Sequence, residues 1–155
     1  MVSKLKNALS TGFEAFDQRA KNNSDIKKLI EMVHETILDV SNGKVGFKLN
    51  RDISLPMSFR EFIGSPEIKE SQNENIDHTA VVYSLDEIKK ETQLTKFSSN
   101  INGFPCSIIV SGNKLIAHDL ETLEDYFADL LSSANTVEAI KELMGEDDNS
   151  NHSEV

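Results

Sequence analysis

The 155-residue chain has one cysteine and seven scattered glycines, and each scarcity removes a class of protein. The lone Cys106 closes no intramolecular disulfide, which points to a reducing compartment. No apolar stretch approaches the ~20 residues that cross a bilayer. The start, Met1-Val2-Ser3-Lys4-Leu5-Lys6, carries charge but no apolar segment behind it, so a secretory signal is not expected. A cytoplasmic location follows as the expectation. The dispersed glycines provide no glycine-rich turn to cradle a phosphate. The histidines His34, His78, His118 and His152 are scattered, with no two at metal-ligand spacing. Glu146-Asp147-Asp148 has neither the glycine nor the spacing of a calcium loop. No metal and no cofactor are expected.

Cations are missing from one end. From Asp119 to Val155 eleven carboxylates face a single cation, Lys141, whereas residues 1–118 carry fifteen of each sign. The whole net charge of −10 therefore sits in the last segment. Such a field repels nucleic acid and anionic lipid and draws basic partners from a distance.

What is present is enough for one domain with a core. Hydrophobic residues make up 38%, or about 42% with glycine counted, and the slight shortfall from a typical ~45–50% fits solvated loops and a polar tail. Leu5, Leu9, Phe13, Phe16 and Ala20 give helical spacing over 3–20, with Gly12 as a cost of roughly 1 kcal/mol. The polar Lys21-Asn22-Asn23 is expected to end that helix and Ser24 to cap a second one over 25–41, built on Ile26, Leu29, Ile30, Val33, Ile37 and Val40. Asn42-Gly43 stops it. Lys44–Asn50 alternates as a half-buried strand with a basic outer face. A short helical turn is expected from Ser58, with Phe59, Phe62 and Ile63, then an exposed loop over 64–77.

Thr79–Tyr83 reads as a strand, and Ser84 with Glu87 as a capping box opening a helix over 85–97. Cys106–Val110, the turn Ser111-Gly112-Asn113 and Lys114–His118 form a hairpin. Asp119 caps a helix with Leu120, Leu123, Phe127, Leu130 and Leu131. Asn135 with Glu138 opens a last one, which Gly145 ends. The expected fold is α/β, with α+β as the variant. A small central sheet of about four strands, one antiparallel hairpin included, is packed by four to five helices, two of them N-terminal. The expected organisation is one globular domain over 1–144 and a disordered acidic tail over 145–155.

The order strand, helix, Ile101-x-Gly103-x-Pro105, strand, tight turn, strand, helix resembles the C-terminal half of the thioredoxin-like fold over 79–132. The resemblance implies a cis bond before Pro105. It also implies a redox centre, Cys-x-x-Cys, where this chain has Asp52-Ile53-Ser54-Leu55-Pro56-Met57-Ser58. Without cysteines there, dithiol exchange has no nucleophile. The resemblance therefore implies a redox-inactive member that binds other proteins, with Phe104, Pro105 and Cys106 as the client site.

Chemistry-bearing residues are few. Cys106 is either a thiol beside that surface or a buried apolar side chain. His118-Asp119 pairs a base with an orienting carboxylate, but no nucleophile elbow surrounds Ser107 or Ser111. Asp119 as a cap is the plainer reading. Lys44, Lys48, Arg51 and Arg60 form either a small basic patch or an ordinary solvated face. The acidic end carries more. Glu121, Asp125 and Asp129 repeat at four residues, as do Glu138 and Glu142, and Glu124 adds to the first set. Stacking like charges costs a few tenths of a kcal/mol per pair, so helix stability alone would favour lysine at some of these positions.

The chain is accordingly expected to be non-enzymatic. It would bind a basic protein through Glu121, Glu124, Asp125, Asp129, Glu138 and Glu142, as an inhibitor or immunity-type protein for a nucleic-acid-acting partner. The alternative is the thioredoxin-like chaperone or assembly factor. Nucleic acid and membrane are not expected partners, and the oligomeric state is left open.

Overall fold

Residues 2–52, 75–86 and 90–145 are described by a computed structural model of the chain. Residues 2–40 form one helix instead of the expected two. The helix α1 spans Val2–Val40, 39 residues and about 58 Å. No proline or glycine interrupts Lys21-Asn22-Asn23, and these polar side chains have other work. The Asn22 amide donates to the Asn102 carbonyl at 3.1 Å and the Asn23 amide to that of Ile101 at 3.3 Å. Lys21 pairs with Asp25 one turn on, at 2.8 Å. Polarity there marks a contact with a distant turn. The expected stop at Asn42-Gly43 is present: both adopt positive φ, 58° and 80°, and the Gly43 N–H bonds the Leu38 carbonyl at 2.7 Å.

Five strands follow: β1 (Val45–Arg51), β2 (Asn75–Ser84), β3 (Glu91–Asn100), β4 (Gly103–Val110) and β5 (Asn113–Ala117). They pair in sequence order, every pair antiparallel. Together with the helices α2 (Leu120–Leu131) and α3 (Ala134–Met144), they make an α+β fold.

The expected helix over 85–97 is replaced by β3. The segment Thr92-Gln93-Leu94-Thr95-Lys96-Phe97 has β-branched residues and too few apolar side chains for a buried helical stripe. Pairing with β2 satisfies one side of its backbone, and β4 joins the other side from Phe97 onward. The Ser84 hydroxyl accepts from the Asp86 N–H in the β2–β3 connection, and Glu87 lies outside the described residues. Asn75–Asp77, expected in a loop, open β2. The rest of that loop, the short helix from Ser58 and the acidic tail beyond Gly145 lie outside the described residues. The described strands thus number five, not about four, and the described helices three, not four to five.

All three described helices pack on one face of the sheet. That face presents Val45, Phe47, Ala80, Val82, Phe97, Cys106, Ile108 and Val110. Ile26, Leu29, Val33 and Ile37 of α1 close on it, with Leu123, Phe127 and Leu130 of α2 and Ala139 and Leu143 of α3. Phe127 is the centre, 5.8 Å from the Phe97 ring and edge-on to Phe47 at 6.2 Å.

At the outer edge of β1, the backbone N–H of Phe47 donates to His34 Nδ1 at 3.1 Å, and that of Val45 to the buried Ser41 hydroxyl at 2.9 Å. Gly46 is buried because the Tyr83 ring crosses it to stack on His34. A Cβ at Gly46 would meet the Tyr83 ring at 2.6 Å.

Candidate partner-binding surface

Capping fixes where the acidic residues point. The Asp119 carboxylate accepts the Thr122 N–H at 2.8 Å, which starts α2 and holds that carboxyl below its ordinary range. His118 is exposed beside it, so the pair ends a strand and caps a helix. The helix α3 is opened by Ser133 and not by Asn135: the Ser133 hydroxyl accepts the Thr136 N–H. Gly145 ends it in the left-handed region, φ 79°.

With Leu123, Phe127 and Leu130 facing the core, the four-residue repeat puts Glu121, Glu124, Asp125 and Asp129 on the outside of α2. Thr136, Ala139 and Leu143 likewise turn Glu138 and Glu142 outward on α3. All six carboxylates are exposed, and none forms an ion pair with another described residue.

The two rows differ in setting. Glu138 and Glu142 rim an open groove of about 450 Å³. It exists because β3 and β4 keep register only between Phe97/Ile108 and Asn100/Gly103 and part beyond that point. Thr92, Gln93, Leu94, Thr95 and Ile109 line its floor, with the Thr95 hydroxyl donating to the Ile109 carbonyl at 2.6 Å. The α2 carboxylates stand on the helix surface and do not line this groove.

The other expected positions divide. Pro105 is exposed and Phe104 half-buried, and the bond between them is cis. Cys106 is 1% exposed, its thiol directed at the Gly103 carbonyl at 3.1 Å, and burial pushes its pKa up to about 12. It is a core side chain. Of the basic patch, Lys48 lies over the Tyr83 ring at 4.9 Å and pairs with Glu91 at 3.6 Å, while Arg60 lies outside the described residues.

Sequence reading missed one cluster. On the sheet face away from the helices, the Thr79 hydroxyl donates to Asp52 Oδ1 at 2.8 Å. Lys96 Nζ reaches that hydroxyl at 2.8 Å and Asp52 Oδ2 at 3.2 Å. The Thr79 bond, with help from Lys96, holds the Asp52 carboxyl below its usual value. The three residues are far apart in sequence and only strand register joins them, so no local signal marks them. Each hydrogen-bonding group is spent on another, which makes this a cross-strand staple more than a reactive centre. Among the described residues no group of three or more His, Cys, Asp or Glu side chains is placed to hold a metal ion. No described helix is long and apolar enough to cross a membrane.

Comparison of the chain with known protein families, with curated proteins and with solved structures gives no match.

Proposed function

We propose that this is a non-enzymatic, cytoplasmic protein-binding module. It engages a basic protein, in the manner of an inhibitor or immunity protein of a nucleic-acid-acting partner. One observation carries the reading: six carboxylates stand exposed on α2 and α3 with no described cation paired to them. A partner's lysines and arginines supply the missing charge, which speeds encounter and selects the partner. The groove rimmed by Glu138 and Glu142 suits a basic side chain or loop inserted between α3 and β3.

The test is affinity capture from native lysate at low salt, eluted in salt steps, with the captured protein identified by mass spectrometry. A basic protein released sharply by salt supports the reading. Binding that survives neutralisation of Glu121, Asp125 and Asp129 together at low salt refutes it.

A second reading, a redox-inactive thioredoxin-like chaperone or assembly factor, draws on exposed Pro105 beside half-buried Phe104. It requires Pro105→Ala to weaken client binding more than the acidic-face changes do.

A further inference from the structure

Half of α1 stands away from the body. Every residue from Ser3 to Lys21 is exposed, and contact with the fold begins at Asn22. Along this free half Leu5, Leu9, Phe13 and Phe16 are 68%, 62%, 62% and 64% exposed. Four large apolar side chains in one row, all in water, are unusual on a protein surface. The row is not the core stripe continued. At 3.6 residues per turn it lies roughly 100° around the helix from Ile26, Leu29, Val33 and Ile37. It therefore faces sideways, away from the surface its own sheet presents.

Length, charge and area agree on one occupant. Laid antiparallel on itself with Thr11 at the centre, the free half overlaps its whole length. Leu9 meets the partner's Phe13, and Leu5 lies beside the partner's Phe16. The partner's first turn ends near Ala20, just short of the Asn22 anchor. Lys6 and Asp17 flank the row on the same side, and a two-fold axis across the helix pair brings equal flanks together. Lys6 then lies beside the partner's Asp17, twice over. A parallel pair would set Lys6 against other neighbours and crowd the two bodies at one end, while antiparallel helices also oppose their dipoles favourably. Gly12, on the flank opposite Lys6 and Asp17, has nothing within 4 Å of where a Cβ would stand and leaves room there for a close helix. Eight Leu and Phe side chains would bury on the order of 1,000 Å², about the least a specific interface needs.

We propose that the protein self-associates through the free half of α1. Two copies pair antiparallel, with Leu5, Leu9, Phe13 and Phe16 as the seam and Lys6 beside the partner's Asp17. This pairing is independent of the acidic surface on α2 and α3.

Sedimentation equilibrium of the full chain tests it. The expected mass at micromolar concentration is twice the 17.3 kDa of one chain. Leu9→Glu with Phe13→Glu is expected to return it to one chain with an unchanged thermal melt of the body, since neither side chain touches the core. Lys6→Glu or Asp17→Lys alone weakens dimerisation about tenfold, and the two reversals together restore it. A monomeric wild-type chain overturns the proposal, as does a dimer that survives Leu9→Glu with Phe13→Glu. Failure of the double reversal to restore pairing overturns the antiparallel register.

Discussion

The Cys106 thiol should be close to inert in the folded protein. It is 1% exposed among Ile108, Ala117 and the helices, and burial lifts its pKa from 9.0 to about 12. A rise of that size lowers the thiolate fraction about 1,000-fold at any pH below 9.0. Steric closure slows attack further. Labelling with a chromogenic disulfide at about pH 7.5, folded and in guanidinium, should therefore give native rates at least ~1,000-fold slower. The pH profile adds a second check. Direct attack on the folded thiol keeps rising above pH 9.0, whereas labelling through transient opening levels near that ordinary value. Stability depends on pH with a definite sign. The folded thiol keeps its proton from 9.0 up to about 12 while the unfolded one loses it. The stabilisation is complete below 9.0 and falls by about 1.4 kcal/mol per pH unit above it. Native labelling within about tenfold of the unfolded rate would refute the burial argument and reopen thiol chemistry.

Other outcomes follow from single contacts. Gly46→Ala puts a methyl against the Tyr83 ring and His34 Cε1 and should cost about 1–3 kcal/mol by denaturant unfolding, and less when the same change is made in a Tyr83→Ala background. Phe127→Ala removes the ring joining Phe47 and Phe97 and should cost about 3–5 kcal/mol. Ser133→Ala deletes the α3 cap and should cost about 1 kcal/mol, whereas Asn135→Ala should be near neutral. Because its capping bond holds the Asp119 carboxyl below 3.8, its stabilisation is present above that pH and lost as pH falls. Acid unfolding of Asp119→Ala should accordingly show a shallower pH dependence.

Local signals located the elements whose pattern and neighbours agreed. Asp119, the Ser111-Gly112 turn, Asn42-Gly43 and Gly145 each announce a backbone feature that the fold contains. The exposed carboxylates were legible for the same reason, because apolar spacing on α2 and α3 fixes which side faces out. Reading failed where a residue serves a distant partner. Asn22 and Asn23 look like a helix end yet bond a turn some eighty residues on. Thr92–Phe97 has mixed local preference, and pairing with β2 decides it. Asp52, Thr79 and Lys96 share nothing until strand register joins them.

The edge of β1 has a consequence for how the sheet meets other chains. Unpaired edges invite strand addition and, from there, fibrils. His34 and Ser41 occupy the outward N–H groups of Phe47 and Val45, so half of this margin offers no donors to an incoming strand. The imidazole does so with Nδ1 as acceptor, which puts its proton on Nε2. The opposite margin is β5, only five residues long and opened by Asn113-Lys114. Short length and a charged side chain are what keep such a margin from templating growth. Replacing Lys114 with an apolar β-former would remove one guard, and exchanging His34 for a residue without an acceptor would remove the other.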